Sequence, residues 1–237
     1  MKSSVLFGSI LASGLALSAL SLNSAAFAVE PPAGKPTDKA EKPADKKAEK
    51  SDKKAEAATA KVGETAPNFK LTDTDGKTVD LAEVGKGKVV FIHWFNSECP
   101  YIVKQYSTCS TIPNMVKDYA GKDVVFLAIN SGAPGKQGAG KEVSAKAKSD
   151  WKMNFPILLD GDGKVGQMYG AKRTPDCYVI GKDGKVAYIG GIDNNSSADT
   201  AGDKNYVKLA IDELLAGKEV TTKEAKSYGC GVKYGAK

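Results

Sequence analysis

Hydrophobic and polar positions fall into three regimes along the chain. Behind Lys2, "VLFGSILASGLALSAL" is one short apolar run, whereas from Val29 to Lys61 the chain is almost wholly Pro, Ala, Lys, Glu and Asp. Beyond it, apolar runs of strand length alternate with stretches of helical spacing. "KVVFIHWF", "DVVFLAIN" and "FPILLD" read as buried strands. "YIVKQYSTCSTIPNMVKDYA" reads as a helix interrupted near Pro113, and "KEVSAKAKSDW" and Val165 to Tyr169 read as two more. "DCYVIGKDGKVAYIGG" then gives two apolar runs parted by Lys182, Asp183 and Gly184, a hairpin signal, and a last helix is expected over 204–216. Strand–helix alternation closed by a hairpin predicts an α/β fold, a mixed central sheet with helices on both faces followed by a C-terminal β-hairpin and helix.

The same regimes set the domains. Lys2, the apolar run and Ala26-Phe27-Ala28 have the three-part form of a secretory signal peptide, with the cut expected after Ala28. The run is too short and too rich in Ser and Gly for stable membrane insertion. No cysteine lies near the cut, which argues against a lipid anchor. We therefore expect an exported protein, periplasmic or else secreted, in a compartment where disulfides persist. Residues 29–61 offer no apolar surface to offset their ordering entropy and are expected to be a disordered linker reaching about 30 Å. Residues 62–220 suit one domain with a substantial core, and 221–237 form a tail containing "SYGCGVKYG". The formal charge of +6 is a lysine excess spread over the chain, without the basic, aromatic-interleaved patch of a nucleic-acid binder, so no nucleic-acid partner is expected.

Four cysteines carry the candidate chemistry. In "HWFNSECPYI" a strand ends at Cys99, yet the fourth residue of "CPYI" is Ile102, so there is no Cys-x-x-C. At a strand end where a helix begins, unpaired N–H groups and the helix dipole favour a thiolate at Cys99, and Pro100 suits the first helical turn. The like charge of Glu98 works the other way. A partner thiol must come from elsewhere. Cys109 lies ten residues on, about 15 Å along an unbroken helix and beyond the roughly 7 Å Cα limit of a disulfide. Cys177 falls on a central strand and reads as structural. Cys230, between Gly229 and Gly231 in the polar tail, is left with two readings. It either resolves Cys99, within the chain or across a homodimer, or forms a structural bridge to Cys109. His93 on its buried strand reads as a satisfied core residue rather than a general base or metal ligand. "GKQGAGKE" nearly spells a phosphate-binding loop, but Glu142 stands where a hydroxyl should, so a Gly-rich loop beside the site is the expectation. "DTDG" and "DGDG" lack the later ligands of a calcium loop and read as turns. Neither a metal nor a cofactor is expected.

"VGETAPNFKLTDTDGKTVDLAEVGKGKVVFIHWFNSECPYIVKQY", followed by "RTPDCYVIGKDGKVAYIGGID", resembles the thioredoxin-fold redoxins, the group holding the alkyl hydroperoxide reductase and thiol-specific antioxidant domains. The likeness is greatest to a peroxiredoxin-like branch with "CPY" after the first core strand and a glycine-cysteine motif at the C-terminus. It implies a thioredoxin-like fold, Cys99 as nucleophile, and Thr174 and Pro175 as the threonine and cis-proline facing it, with a backbone edge to which an extended substrate can pair. The resemblance of the tail motif extends to Cys230 as a resolving thiol. Arg173, the sole arginine, sits beside Thr174, placed to stabilise a thiolate or a peroxide oxygen. Two departures bear on the reaction. Asn96 and Ile92 stand where peroxidases carry threonine and proline, and Ile102 stands where thioredoxin-type reductases carry their second cysteine. The expectation is a thiol oxidoreductase of antioxidant type. Cys99 would attack a peroxide or a protein or small-molecule disulfide, Asn96, Pro100, Arg173, Thr174 and Pro175 would form the substrate shell, and a thiol would be the reductant. A non-enzymatic binding module with an inert Cys99 is the alternative.

Overall fold

The structure, a computed structural model, describes residues 59–236. The expected leader and the expected linker up to residue 58 lie outside the described residues. The packed chain begins ahead of the expected boundary at Val62, because Ala60 is buried and its N–H donates to the Met168 carbonyl at 3.2 Å.

A hairpin, β1 (Lys70–Asp73) and β2 (Thr78–Asp80), opens the domain. Its turn is closed by the Asp73 carboxylate, which accepts from Asp75 N and Lys77 N. The sequence "DTDG" showed this turn without showing the strands on either side of it. The short helix α1 (Leu81–Val84) leads into β3 (Val89–Trp94), whose six residues are all buried. Strand alternation sends Phe91 and His93 to one face and Val90, Ile92 and Trp94 to the other. β3 pairs in parallel with β4 (Val124–Asn130), which pairs in parallel with β5 (Ile157–Leu159). On its other side β3 is antiparallel to β7 (Cys177–Ile180), and β7 to β8 (Val186–Gly190), the expected hairpin. The mixed seven-stranded sheet runs β2-β1-β5-β4-β3-β7-β8.

Both faces are covered. α2 (Pro100–Val103), α3 (Thr111–Asp118), α4 (Lys141–Asp150) and α6 (Tyr206–Leu215) bring Ile102, Ile112, Met115, Ala147, Val207 and Ile211 onto the face with Phe91. α1 and α5 (Lys164–Tyr169) bring Leu81, Val165 and Tyr169 onto the other. Each large apolar side chain so buried contributes about 1.5–3 kcal/mol. No helix among the described residues is long and apolar enough to cross a membrane.

Two expectations need correction. The first long helix is broken not at Pro113 but at Ser110, which takes a left-handed φ of 51° after a single π-turn over Lys104–Thr108. Pro113 is the third residue of α3, where the missing N–H has no intrahelical bond to make. The tail, read as a place that permits movement, is tied down by main-chain bonds to β8 and to neighbouring loops. Ala225 N donates to Ile189 O at 3.2 Å, Val232 N to Lys172 O at 3.1 Å, and Ala133 N to Lys233 O at 2.9 Å. Between these bonds β9 (Cys230–Gly231) pairs antiparallel with β6 (Arg173–Thr174) in a separate two-stranded sheet.

Candidate active site

Cys99 is the N-cap of α2, in extended backbone conformation (φ −85°, ψ 122°), with Pro100 as the first helical residue. Its carbonyl accepts from Ile102 N and Val103 N, which fixes it at the mouth of the helix. The approach is shaped by Asn96. Its side-chain oxygen accepts from Glu98 N at 2.9 Å, its amide donates to Gln137 O at 3.1 Å, and its carbonyl accepts from Cys99 N at 3.0 Å. The Gly-rich loop is thereby fitted onto the turn that carries Cys99. At Gly138, with φ +67°, an added Cβ would lie 1.8 Å from Asn96 Oδ1. Asn130 holds the loop from behind through Gly138 O at 2.8 Å and Ser144 Oγ at 2.9 Å.

Cys99 is only 2% exposed, and its Sγ donates to the Thr174 carbonyl at 3.1 Å. The Thr174–Pro175 peptide is cis. Thr174 stands opposite Cys230 in the β6–β9 register, and its Oγ1 donates to Cys230 O at 3.4 Å. Gly229 permits this approach: at φ +119°, an added Cβ would lie 2.3 Å from Thr174 O. The Cys230 thiol is pushed up to about 11, first by burial and then by the neighbouring Cys99. Lys233 and Arg173 pull it down. The exposed Arg173 also donates from Nη1 to Gly229 O at 3.4 Å, so its guanidinium holds the tail.

Of the residues expected at the site, Thr174 meets both Cys99, through its carbonyl, and Cys230, across the ladder. Pro100 and Pro175 flank them in the chain, Arg173 braces the tail, and Asn96 shapes the turn with its polar atoms taken up by protein. Cys109 is elsewhere, its Sγ donating to Asp199 O at 3.6 Å. Cys177 is fully buried, and burial pushes its thiol well above the ordinary range, so it stays neutral. His93 is fully buried, with Nε2 2.8 Å from Tyr106 Oη, and burial pushes it down to about 3. It is a neutral core residue.

Two features beside the site were not singled out in the sequence. Asp176 closes the loop into β7 by accepting from Lys172 N at 2.6 Å and Arg173 N at 3.0 Å. Lys104, Asp193 and Tyr228 form a buried polar cluster between the π-turn and the tail. No local signal marked Lys104, since residues two apart from Ile102 and Tyr106 would lie on the opposite face of a regular helix.

A family model described as Redoxin matches residues 61–204. The chain belongs to the Redoxin family. The redoxin is similar to the thiol-disulfide oxidoreductase ResA of Bacillus subtilis (strain 168), at 30% identity over 127 residues, 54% of this chain and 65% of the relative. It thus spans just under two thirds of that relative's length. ResA of Geobacillus thermodenitrificans is 30% identical over 135 residues, 54% of this chain and 68% of the relative. Among solved structures, a hypothetical protein from Sinorhizobium meliloti 1021 aligns with a TM-score of 0.67 at 26% identity, over 76% of this chain and 97% of its own. An uncharacterized conserved protein from Geobacillus kaustophilus aligns at 0.65 and 28%, over 75% and 94%. A protein assigned as a thiol:disulfide interchange protein DsbE, from Chlorobium tepidum, aligns at 0.53 and 22% and speaks for the thioredoxin-like fold alone. The family match ends at Lys204, so the tail that brings Cys230 to the redoxin's Cys99 lies beyond it.

Proposed function

We propose that this redoxin is an exported thiol–disulfide oxidoreductase whose redox pair is Cys99 and Cys230 of the same chain. The observation that carries the reading is that Thr174 gathers both cysteines: its carbonyl accepts from the Cys99 thiol, and it stands opposite Cys230 in the β6–β9 ladder. The Cys99 thiolate attacks one sulfur of a disulfide, forming a mixed disulfide and releasing the other half as a thiolate. Cys230 then attacks the Cys99 sulfur. The remaining half leaves as a thiolate and takes the Cys230 proton, and the enzyme holds a Cys99–Cys230 disulfide. Two electrons from an external thiol reductant reopen it. No cofactor enters these steps.

The electrostatics order the steps. Two of the three causes that raise Cys230 come from Cys99. Once Cys99 is capped, its part in raising Cys230 is removed while burial continues to hold the thiol up, so the first attack eases the second. A disulfide is favoured over a peroxide because Asn96 and Ile92 replace the threonine and proline of the peroxidases. Asn96 is moreover occupied by Glu98 N and Gln137 O. The relatives named thiol-disulfide oxidoreductases support the same choice. An exported location, read from the leader, suits a disulfide-cycling pair. The test is turnover of purified protein with a thiol reductant and, separately, a protein disulfide, oxidised glutathione or hydrogen peroxide. Disulfide turnover faster than peroxide turnover is expected; peroxide turnover alone, or none with any of the three, overturns the reading.

A further inference from the structure

Lys104 is charged and yet has no exposed side-chain surface. A lone ammonium in such a place would be strongly unfavourable, and the structure surrounds it with partners. Nζ lies 3.5 Å from Asp193 Oδ2, donates to Asn195 O at 2.7 Å, and sits 5.0 Å from the centre of the Tyr228 ring. Tyr228 closes the cluster, its hydroxyl donating to Asp193 Oδ1 at 2.6 Å and accepting from Gln105 Nε2 at 3.3 Å. Burial and the bond to Asp193 hold the phenol above its ordinary range, so it remains a donor. The Tyr228 ring also lies 5.8 Å from that of Tyr101, two residues beyond Cys99. The π-turn directs both Lys104 and Gln105 inward.

Tyr228 is two residues before Cys230. Between Leu215, the end of α6, and Cys230 the described chain forms no helix or strand. Main-chain bonds at Ala225 and Val232 hold the tail on either side, and a thiol fixed in one register has a far higher effective concentration than one on a flexible tether, which reaches only the millimolar range. We infer that Tyr228, seated between Lys104 and Asp193, is a positioning residue that registers Cys230 against Cys99. The inference rests on the Cys99–Cys230 reading. Departure of the tail would strip the ring from Lys104 and the phenol from Asp193, so a cluster of charged groups favours one seat, where an apolar patch would tolerate several.

The test is a single turnover of reduced full-length protein with oxidised glutathione, acid-quenched and read by mass spectrometry. It separates glutathionylation of Cys99 from closure of the Cys99–Cys230 disulfide. Tyr228→Phe keeps the ring and loses the hydroxyl bond to a charged partner. Closure is expected to slow by about tenfold, with the glutathione adduct on Cys99 persisting accordingly. The first step is not slowed. Tyr228→Leu, which also loses the ring contacts, slows closure further. Closure at the wild-type rate in both variants overturns the inference, as does equal slowing of both steps, which marks general damage to the fold. If the wild-type protein itself forms the glutathione adduct but no Cys99–Cys230 disulfide, the proposed function fails and this inference falls with it.

Discussion

Cys230 stands across the β6–β9 ladder from Thr174, and the carbonyl of Thr174 accepts the Cys99 thiol at 3.1 Å. One residue beside a cis peptide thus binds the Cys99 sulfur and holds the backbone of Cys230. The edge expected to receive an extended substrate is occupied by the chain's own tail, which places Cys230 opposite Thr174.

Cys99→Ser should lower disulfide turnover on the order of a thousandfold or more, because a serine hydroxyl is not appreciably ionised. The hydroxyl can still donate to Thr174 O, so thermal stability should change by less than about 1 kcal/mol. Steady-state rates beside a melting curve check both. Retained turnover would remove Cys99 from the chemistry.

Cys230→Ser should leave the first attack intact and stop the second. The protein should react once with oxidised glutathione and accumulate the mixed disulfide on Cys99, seen as a stable adduct by intact-mass measurement. Continued multiple turnover in this variant contradicts a resolving role.

Removing Cys99 should change how Cys230 titrates. Cys230 is held up to about 11 partly by Cys99, so Cys99→Ser should lower the Cys230 pKa. Thiolate absorbance followed against pH measures this directly. An unchanged or higher value in the variant would mean that the thiols do not interact.

His93 makes stability depend on pH in a defined sense. Its ordinary value of 6.5 is pushed down to about 3 in the fold by burial, so the unfolded chain binds the proton more readily. The stabilisation is fully present above 6.5 and is lost as pH falls toward 3, at about 1.4 kcal/mol per unit. Denaturant melts across that window should show a shallower slope for His93→Gln; equal slopes would place the acid sensitivity elsewhere.

Much of the architecture could be read from apolar periodicity, because the central strands are buried on both faces and show as continuous runs at Val89–Trp94 and Val124–Asn130. The β1–β2 strands escaped, being short and half exposed, with only their Asp73 turn visible. Cys99, Thr174 and Pro175 were legible through local motif and family pattern. The seat of the tail was not, because it depends on Gly229 meeting a carbonyl 55 positions upstream, at Thr174, and on a buried lysine that local pattern gives no reason to expect. Likewise the break at Ser110 comes from a left-handed residue following a π-turn, which composition does not mark, while the conspicuous Pro113 is harmless in the first turn of α3.

The most direct test is peptide mapping of the oxidised full-length protein under non-reducing conditions. The account predicts one dominant cross-linked species, joining the peptide of Cys99 to that of Cys230, in protein that recovers free thiols and activity on reduction. Cys230 joined instead to Cys109 in protein that still turns over would contradict it.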